Sequence, residues 1–293
     1  MTTAKVVDAV LPGAPPHWVG DGFPVHSLFS VHAVGAEAIS PFLMLDLAGP
    51  YDFAPSETGE PRGVEAHPHR GFETVTILYQ GELQHRDSSG ASGRLGPGDV
   101  QWMTAAGGIV HEEKHAEAFT RAGGTLEMVQ LWVNLPASKK NLPPSYQDIR
   151  ANDIPSVELP GGAGSLRVIA GEYREVTGPA TTHTPMDVWD MQLNADASAD
   201  FALPADTNTI LVVLRGSASI GSAELTAHQG VLLGREGESF TIEAGDSGAA
   251  LLLLSGEPIN EPVAARGPFV MNTAEEIVRA MQDYHGGKMG RLH

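Results

Sequence analysis

The chain has no cysteine in its 293 residues. Disulfides, thiolate zinc sites, iron–sulfur clusters and cysteine nucleophiles are therefore excluded. Positive charge is also scarce: 18 Lys and Arg stand against 36 Asp and Glu, a formal net charge of −18. Nucleic acid and anionic membranes both select cationic patches, so direct binding to either is not expected. The one adjacent basic pair, Lys139-Lys140, falls in a stretch that reads as an interdomain loop. The longest apolar run, GAALLLLSG at 248–256, is far too short to span a bilayer. The start of the chain, MTTAKVVDAVLPGAPPHW, lacks the basic opening and long apolar stretch of a secretion signal. A cytoplasmic location is the resulting expectation. No Ser-His-Asp arrangement is visible. GGAGS at 161–165 follows a Pro-rich loop and lacks the lysine of a phosphate-binding loop.

What is present is a hydrophobic fraction of 42%, enough for a real core, with 34 Gly and 21 Pro spread through it. Between the glycines and prolines lie short apolar and β-branched runs: FETVTILYQG, GDVQWMT, TLEMVQLWVNLP, NTILVVLRGSASIG, ESFTIEAG. Strands punctuated this regularly predict an all-β barrel or sandwich. HPHRGFETVTILYQG (67–81) also aligns without a gap on ALPADTNTILVVLRG (202–216), so one β unit is present twice. His67 and His69 then face Ala202 and Pro204, and only the first copy carries ligands. The expected division is a metal-binding barrel at 1–138, a linker and the start of the second barrel at 139–165, a barrel without ligands at 166–260, and a helical extension at 261–293. Thr273-x-x-Glu276 is a capping box. Ala274, Ile277, Val278, Met281 and Tyr284 follow at helical spacing, and Gly286-Gly287 ends the helix.

GGIVHEEKH (107–115) fits the H-E-x-x-H pattern of zinc proteases, which works only on a helix. Two glycines just before His111 disfavour a helix by roughly 1 kcal/mol each relative to alanine. No further zinc ligand follows at the spacing such proteases need. On a strand, alternation puts His111 and Glu113 on one face, turns Glu112 away and makes His115 a bystander. His67-Pro68-His69 on a strand likewise projects both imidazoles to one side. Together the two segments can complete a set of three histidines and one carboxylate, suited to Fe(II), Mn, Ni, Co, Cu or Zn.

HPHRGFETVTILYQGELQH, GDVQWMTAAGGIVHEE, QLWVNLP and GPFVMNTAEEI together resemble the pirin family of the cupin superfamily, over nearly the whole chain. The resemblance implies two tandem cupin β-barrels with one mononuclear metal, usually iron, in the first. It implies His67, His69, His111 and Glu113 as ligands. Cupins often ligate through a Glu shortly after H-x-H, which here is Glu73; the resemblance to pirins favours Glu113 and leaves Glu73 as a pocket residue. A bend at Gly71 would turn Glu73 from the face that its even spacing from His67 gives it. Phe53, Phe72, Met103 and Gln130 are the other expected pocket residues, while Trp102 and Trp132 are expected in the core and His85 in local hydrogen bonding. Some pirins resemble quercetin 2,3-dioxygenases, which implies a planar flavonol as substrate and Glu113 as base. Others resemble metal-dependent regulators, which implies a transcription factor or metabolic enzyme as partner.

Overall fold

A computed structural model describes residues 3–292. The punctuation by glycine and proline translates into strands, as expected, with one long helix near the end of the chain. Among the described residues no helix is long and apolar enough to cross a membrane.

The chain forms two compact units. One contains residues up to Ala14, Ser27–Leu43 and Asn152–Pro258. Its nine-stranded sheet centres on Asn208–Ile220, paired antiparallel with Ser239–Gly256. The first half of that long strand pairs with Ser198–Ala202 and the second half with Met186–Leu193. Inward residues at period 2 fill this unit with side chains such as Trp189, Phe201, Leu211, Phe240 and Leu251.

The other unit contains Pro15–His26, Met44–Ala151 and everything from Ile259 onward. It has a seven-stranded sheet that includes Phe72–Gln80, Val100–Thr104, Gly124–Asn134 and Ser145–Ile149. A four-stranded sheet runs in the order Gly63–His69, Ile109–His115, Leu83–Asp87, Ser92–Leu95.

The compact units are therefore not the contiguous stretches read from the sequence. Val7–Leu11 adds to the edge strand Gly230–Leu233, which places the start of the chain with the second repeat. The final segment joins the first repeat, where Phe269 bridges Arg70 and helix Ala274–His285 packs on Val110, Phe269 and Met271. The capping box forms as expected, with the Thr273 side chain accepting from the Glu276 N–H. Ile277 and Ala280 are the buried helix residues, whereas Val278 is 51% exposed, so its place on the apolar stripe is corrected.

Candidate metal centre

HEEKH lies on a strand. Ile109–His115 pairs antiparallel with Gly63–His69 on one side and with Leu83–Asp87 on the other. Alternation buries His111, Glu113 and His115 and turns Glu112 and Lys114 outward, where they pair with Arg86 and Glu65. His115 is the expected bystander: its Nε2 bonds the Gly22 carbonyl at 3.0 Å and its ring packs on Phe53 and Phe119.

His111 stands directly across from His67, and Ile109 across from His69. Between His111 and Glu113 the partner strand advances three residues, from His67 to Val64. This bulge re-aims the strand beside the cluster, a common device next to functional sites. His67 and His69 Nε2 atoms lie 3.1 Å apart, and the ring of His111 is 4.4 Å from that of His67 and 5.0 Å from that of His69. Ligand atoms of the three histidines all lie within 4.8 Å of one another.

Burial, and then the neighbouring imidazoles, hold His69 and His111 well below the ordinary histidine pKa. Both rings are therefore neutral at physiological pH and present lone pairs. His67 Nδ1 donates to the Glu65 carbonyl at 2.8 Å, which turns its Nε2 toward the cluster. Both ring nitrogens of His111 and Nδ1 of His69 are buried without a hydrogen-bond partner. Buried nitrogens are normally satisfied, and three converging imidazoles are the donor set of a divalent transition ion. The residues fit a metal.

Glu113 borders the cluster, its Oε2 4.0 Å from His111 Nε2. Burial raises its carboxyl, opposed first by His67 and then by Gln130 and Thr76. Gln130 Nε2 reaches both carboxylate oxygens at 3.4 and 3.5 Å, and Thr76 Oγ1 donates to Gln130 Oε1 at 2.6 Å. Gln130 thus orients Glu113.

Glu73 is reached only after the chain turns at Gly71, with φ +89°, into a strand of the other sheet. It is fully buried and accepts from Thr104 Oγ1 at 2.6 Å. Burial pushes its carboxyl up to about 7, against the opposing effects of Thr104 and Trp102. It is not part of the three-histidine group. The turn itself is held by Lys140, a residue the sequence assigned to an interdomain loop and the structure buries. Its Nζ donates to the Gly71 carbonyl at 2.6 Å, Asn134 Oδ1 at 2.7 Å and the Val270 carbonyl at 3.0 Å. A Cβ at Gly71 would lie 1.9 Å from the Val270 oxygen, so the close approach requires glycine.

The remaining expected pocket residues divide. Phe72 packs on His69, with ring centroids 5.1 Å apart. Met103 is buried with Ala105, Ile109 and Tyr146 instead. Phe53 packs with Tyr51, His115 and Phe119 in a separate apolar cluster. Trp132, expected in the core, instead faces the site: it lies 5.3 Å from the His69 ring and 4.3 Å from Phe72. His85 and Asp87 also point inward, across from Glu113 and His111. The alternation in Leu83-Gln84-His85-Arg86-Asp87 was the signal for them.

Residues 23–133 match the Pirin family and residues 188–290 match the Pirin C-terminal cupin domain. The chain belongs to the pirin family. The chain carries two cupin domains. A Pseudomonas aeruginosa protein named "Putative quercetin 2,3-dioxygenase" is 54% identical over 289 residues, covering 99% of this chain and 100% of that one. A pirin-like protein of Solanum lycopersicum is 39% identical, covering 92% of this chain and 88% of its own length. The crystal structure of a quercetin 2,3-dioxygenase from Acinetobacter baumannii shares 46% identity with this pirin, at a TM-score of 0.96, and covers 99% of this chain and 100% of that chain.

Proposed function

We propose that this pirin is a metal-dependent quercetin 2,3-dioxygenase that cleaves the central ring of a flavonol with dioxygen and releases carbon monoxide. The observation that carries the reading is the trio of His67, His69 and His111, drawn together beside the buried carboxylate of Glu113. The names of its relatives point the same way. His67, His69, His111 and Glu113 would hold one divalent ion, Fe(II) in our reading, with Mn, Ni, Co, Cu and Zn as alternatives. Such an ion would supply Lewis acidity toward the 3-hydroxyl and adjacent carbonyl of a flavonol.

The chain's own residues supply the proton chemistry and the shape. Glu113 takes the 3-hydroxyl proton, either while ligated or after swinging off the ion. Gln130, itself held by Thr76, keeps that carboxylate facing the histidines. Phe72 and Trp132 present aromatic surface beside His69, suited to a planar substrate. Glu73 is the second candidate base. The proposed location is the cytoplasm.

The test is dioxygen uptake with quercetin by protein reconstituted anaerobically with Fe(II), with a His67→Ala/His69→Ala control. Stoichiometric uptake with carbon monoxide release, absent in the control, is the expected outcome. Glu113→Gln should lower turnover by about 10²–10⁴-fold while the protein stays folded and metal-loaded. An active, metal-loaded Glu113→Gln protein would remove the base role. No uptake by loaded wild type would overturn the dioxygenase reading and leave the metal-dependent regulator, with its protein partner, in its place.

A further inference from the structure

The inner face of the four-stranded sheet carries more polar chemistry than a metal needs. Read across three strands in register, His67, His111 and Asp87 form one row, and Glu113 and His85 stand opposite each other in the next. Neighbouring strands lie about 4.8 Å apart, so Asp87 and His85 flank the cluster directly. Both are buried, at 4% and 5% exposure. Tyr146, from strand Ser145–Ile149 of the other sheet, stacks on His85 with ring centroids 5.1 Å apart and planes 25° from parallel.

Four polar atoms of these three side chains are buried without a hydrogen-bond partner: His85 Nδ1 and Nε2, Asp87 Oδ2 and Tyr146 Oη. The other Asp87 oxygen is committed, accepting from Ser89 N and Oγ at 2.6 Å each and from Ala91 N at 3.3 Å. Asp148 comes no closer to His85 Nε2 than 4.0 Å and accepts from Gln101 Nε2 at 3.0 Å. Burial, and then the neighbouring Asp87, keeps the Tyr146 phenol protonated, and the two side chains face each other without a bond of ordinary geometry. Four such atoms together carry a penalty. Tyr146 and Asp87 can relieve part of it between them, the two His85 nitrogens cannot, and a bound molecule would relieve the set.

We infer that His85, Asp87 and Tyr146 form a recognition subsite for the ring hydroxyls of a planar phenolic substrate, beside the three-histidine cluster. The atom types select the ligand class. A neutral imidazole offers one donor and one acceptor, a phenol both in one atom, and a carboxylate acceptors only. Phenolic hydroxyls, which donate and accept, complement this set; a carboxylate or phosphate ligand would meet Asp87 and Glu113. The stacked His85–Tyr146 pair adds a flat wall. The choice of a phenol rests on the dioxygenase reading, and the test separates the two.

The experiment is titration calorimetry on zinc-loaded protein with two probes. Quercetin carries hydroxyls on its two outer rings; 3-hydroxyflavone keeps the 3-hydroxyl and carbonyl of the central ring but has no hydroxyl on the outer ones. Wild type should bind quercetin about tenfold more tightly, the scale of one or two well-placed hydrogen bonds. Tyr146→Phe, which keeps the stack, and Asp87→Asn should each weaken quercetin by about five- to tenfold and 3-hydroxyflavone by less than about twofold. Equal losses for both probes, or no preference in wild type, overturn the subsite, and the wild-type comparison decides even where a variant folds poorly. Preference for quercetin without oxygen uptake by the iron-loaded protein would sink the dioxygenase reading and keep the subsite. Turnover without preference would sink the subsite alone.

Discussion

At matched positions of the internal repeat the first cupin unit has His67, His69 and Glu73, and the second has Ala202, Pro204 and Asn208. The strands around these positions follow one plan, but the interiors differ. The second unit is filled with apolar side chains, and Phe201 stacks on Phe240 with centroids 5.7 Å apart. Its one buried amide at the matched positions is fully used: Asn208 Nδ2 donates to the Glu37 and Ser40 carbonyls, and Arg235 donates to its Oδ1. The first unit instead buries imidazoles with unpartnered nitrogens and two carboxylates with raised pKa. The second copy shows that the fold packs an apolar interior with no metal-ligand cluster among the described residues. The polar interior of the first is a local cost that the proposed site accounts for, the usual trade between stability and function.

That contrast breaks most completely at the ligands. His111→Ala should abolish metal retention and reduce oxygen uptake with quercetin to background. The metal-free variant should melt no lower than the metal-free wild type, because it loses a buried imidazole with two unpartnered nitrogens. Metal analysis and calorimetry of the two apo proteins check this, and a marked drop in melting temperature would show that the histidines support the fold.

The mirror-image change lies in the second unit. Phe240→Ala removes a ring that is 5% exposed and stacked on Phe201, at an expected cost of about 3–5 kcal/mol. Metal binding per folded molecule should not change. Denaturant titration with parallel metal analysis tests whether core and site are divided between the units.

Glu73 and Asn208 sharpen the comparison through pH. The folded Glu73 carboxyl sits at about 7 against an ordinary 4.5. Between those values the unfolded chain has released the proton and the folded chain keeps it, so stability falls as pH rises through this window. The share from Glu73 is about 3 kcal/mol, and Glu113, also raised by burial, adds in the same direction. Glu73→Gln should flatten the pH dependence of apo-protein stability between about pH 4.5 and 7 by that share. Asn208→Asp should introduce a similar slope in the second unit. An unchanged slope in Glu73→Gln would mean that the carboxyl is ionised in the fold.

Local rules made much of this legible before any pairing was known. The glycines before His111 argued against a helix, and period 2 then put His111 and Glu113 on one face and Glu112 outside. The Thr273–Glu276 capping box announced the last helix. Apart from Val278 on the last helix, the failures depend on which distant segments meet. Trp132 reaches His69 because Gly124–Asn134 pairs with Phe72–Gln80. Phe53 belongs to the cluster around His115 because of where its own strand ends. Lys140 looked like a solvated loop charge, yet three acceptors from Gly71, Asn134 and Val270 converge on it across the sequence. Periodicity assigns a face; only the long-range register says what that face looks at.

The smallest expected effect tests that register at the proposed subsite. Gly93 pairs with His85 across the sheet, and a Cβ there would lie 2.4 Å from His85 Nε2. The φ of Gly93 is not among the positive ones, so alanine brings no backbone strain and acts only on the imidazole. That imidazole is the end of a side chain and can yield, so the melting temperature should change little. Displacing it should weaken quercetin binding by about two- to fivefold, with 3-hydroxyflavone unaffected. Combined with Tyr146→Phe, the loss should be less than the product of the two, because both act on one stacked pair. Fully multiplicative losses would mean that His85 and Tyr146 serve separate parts of the site.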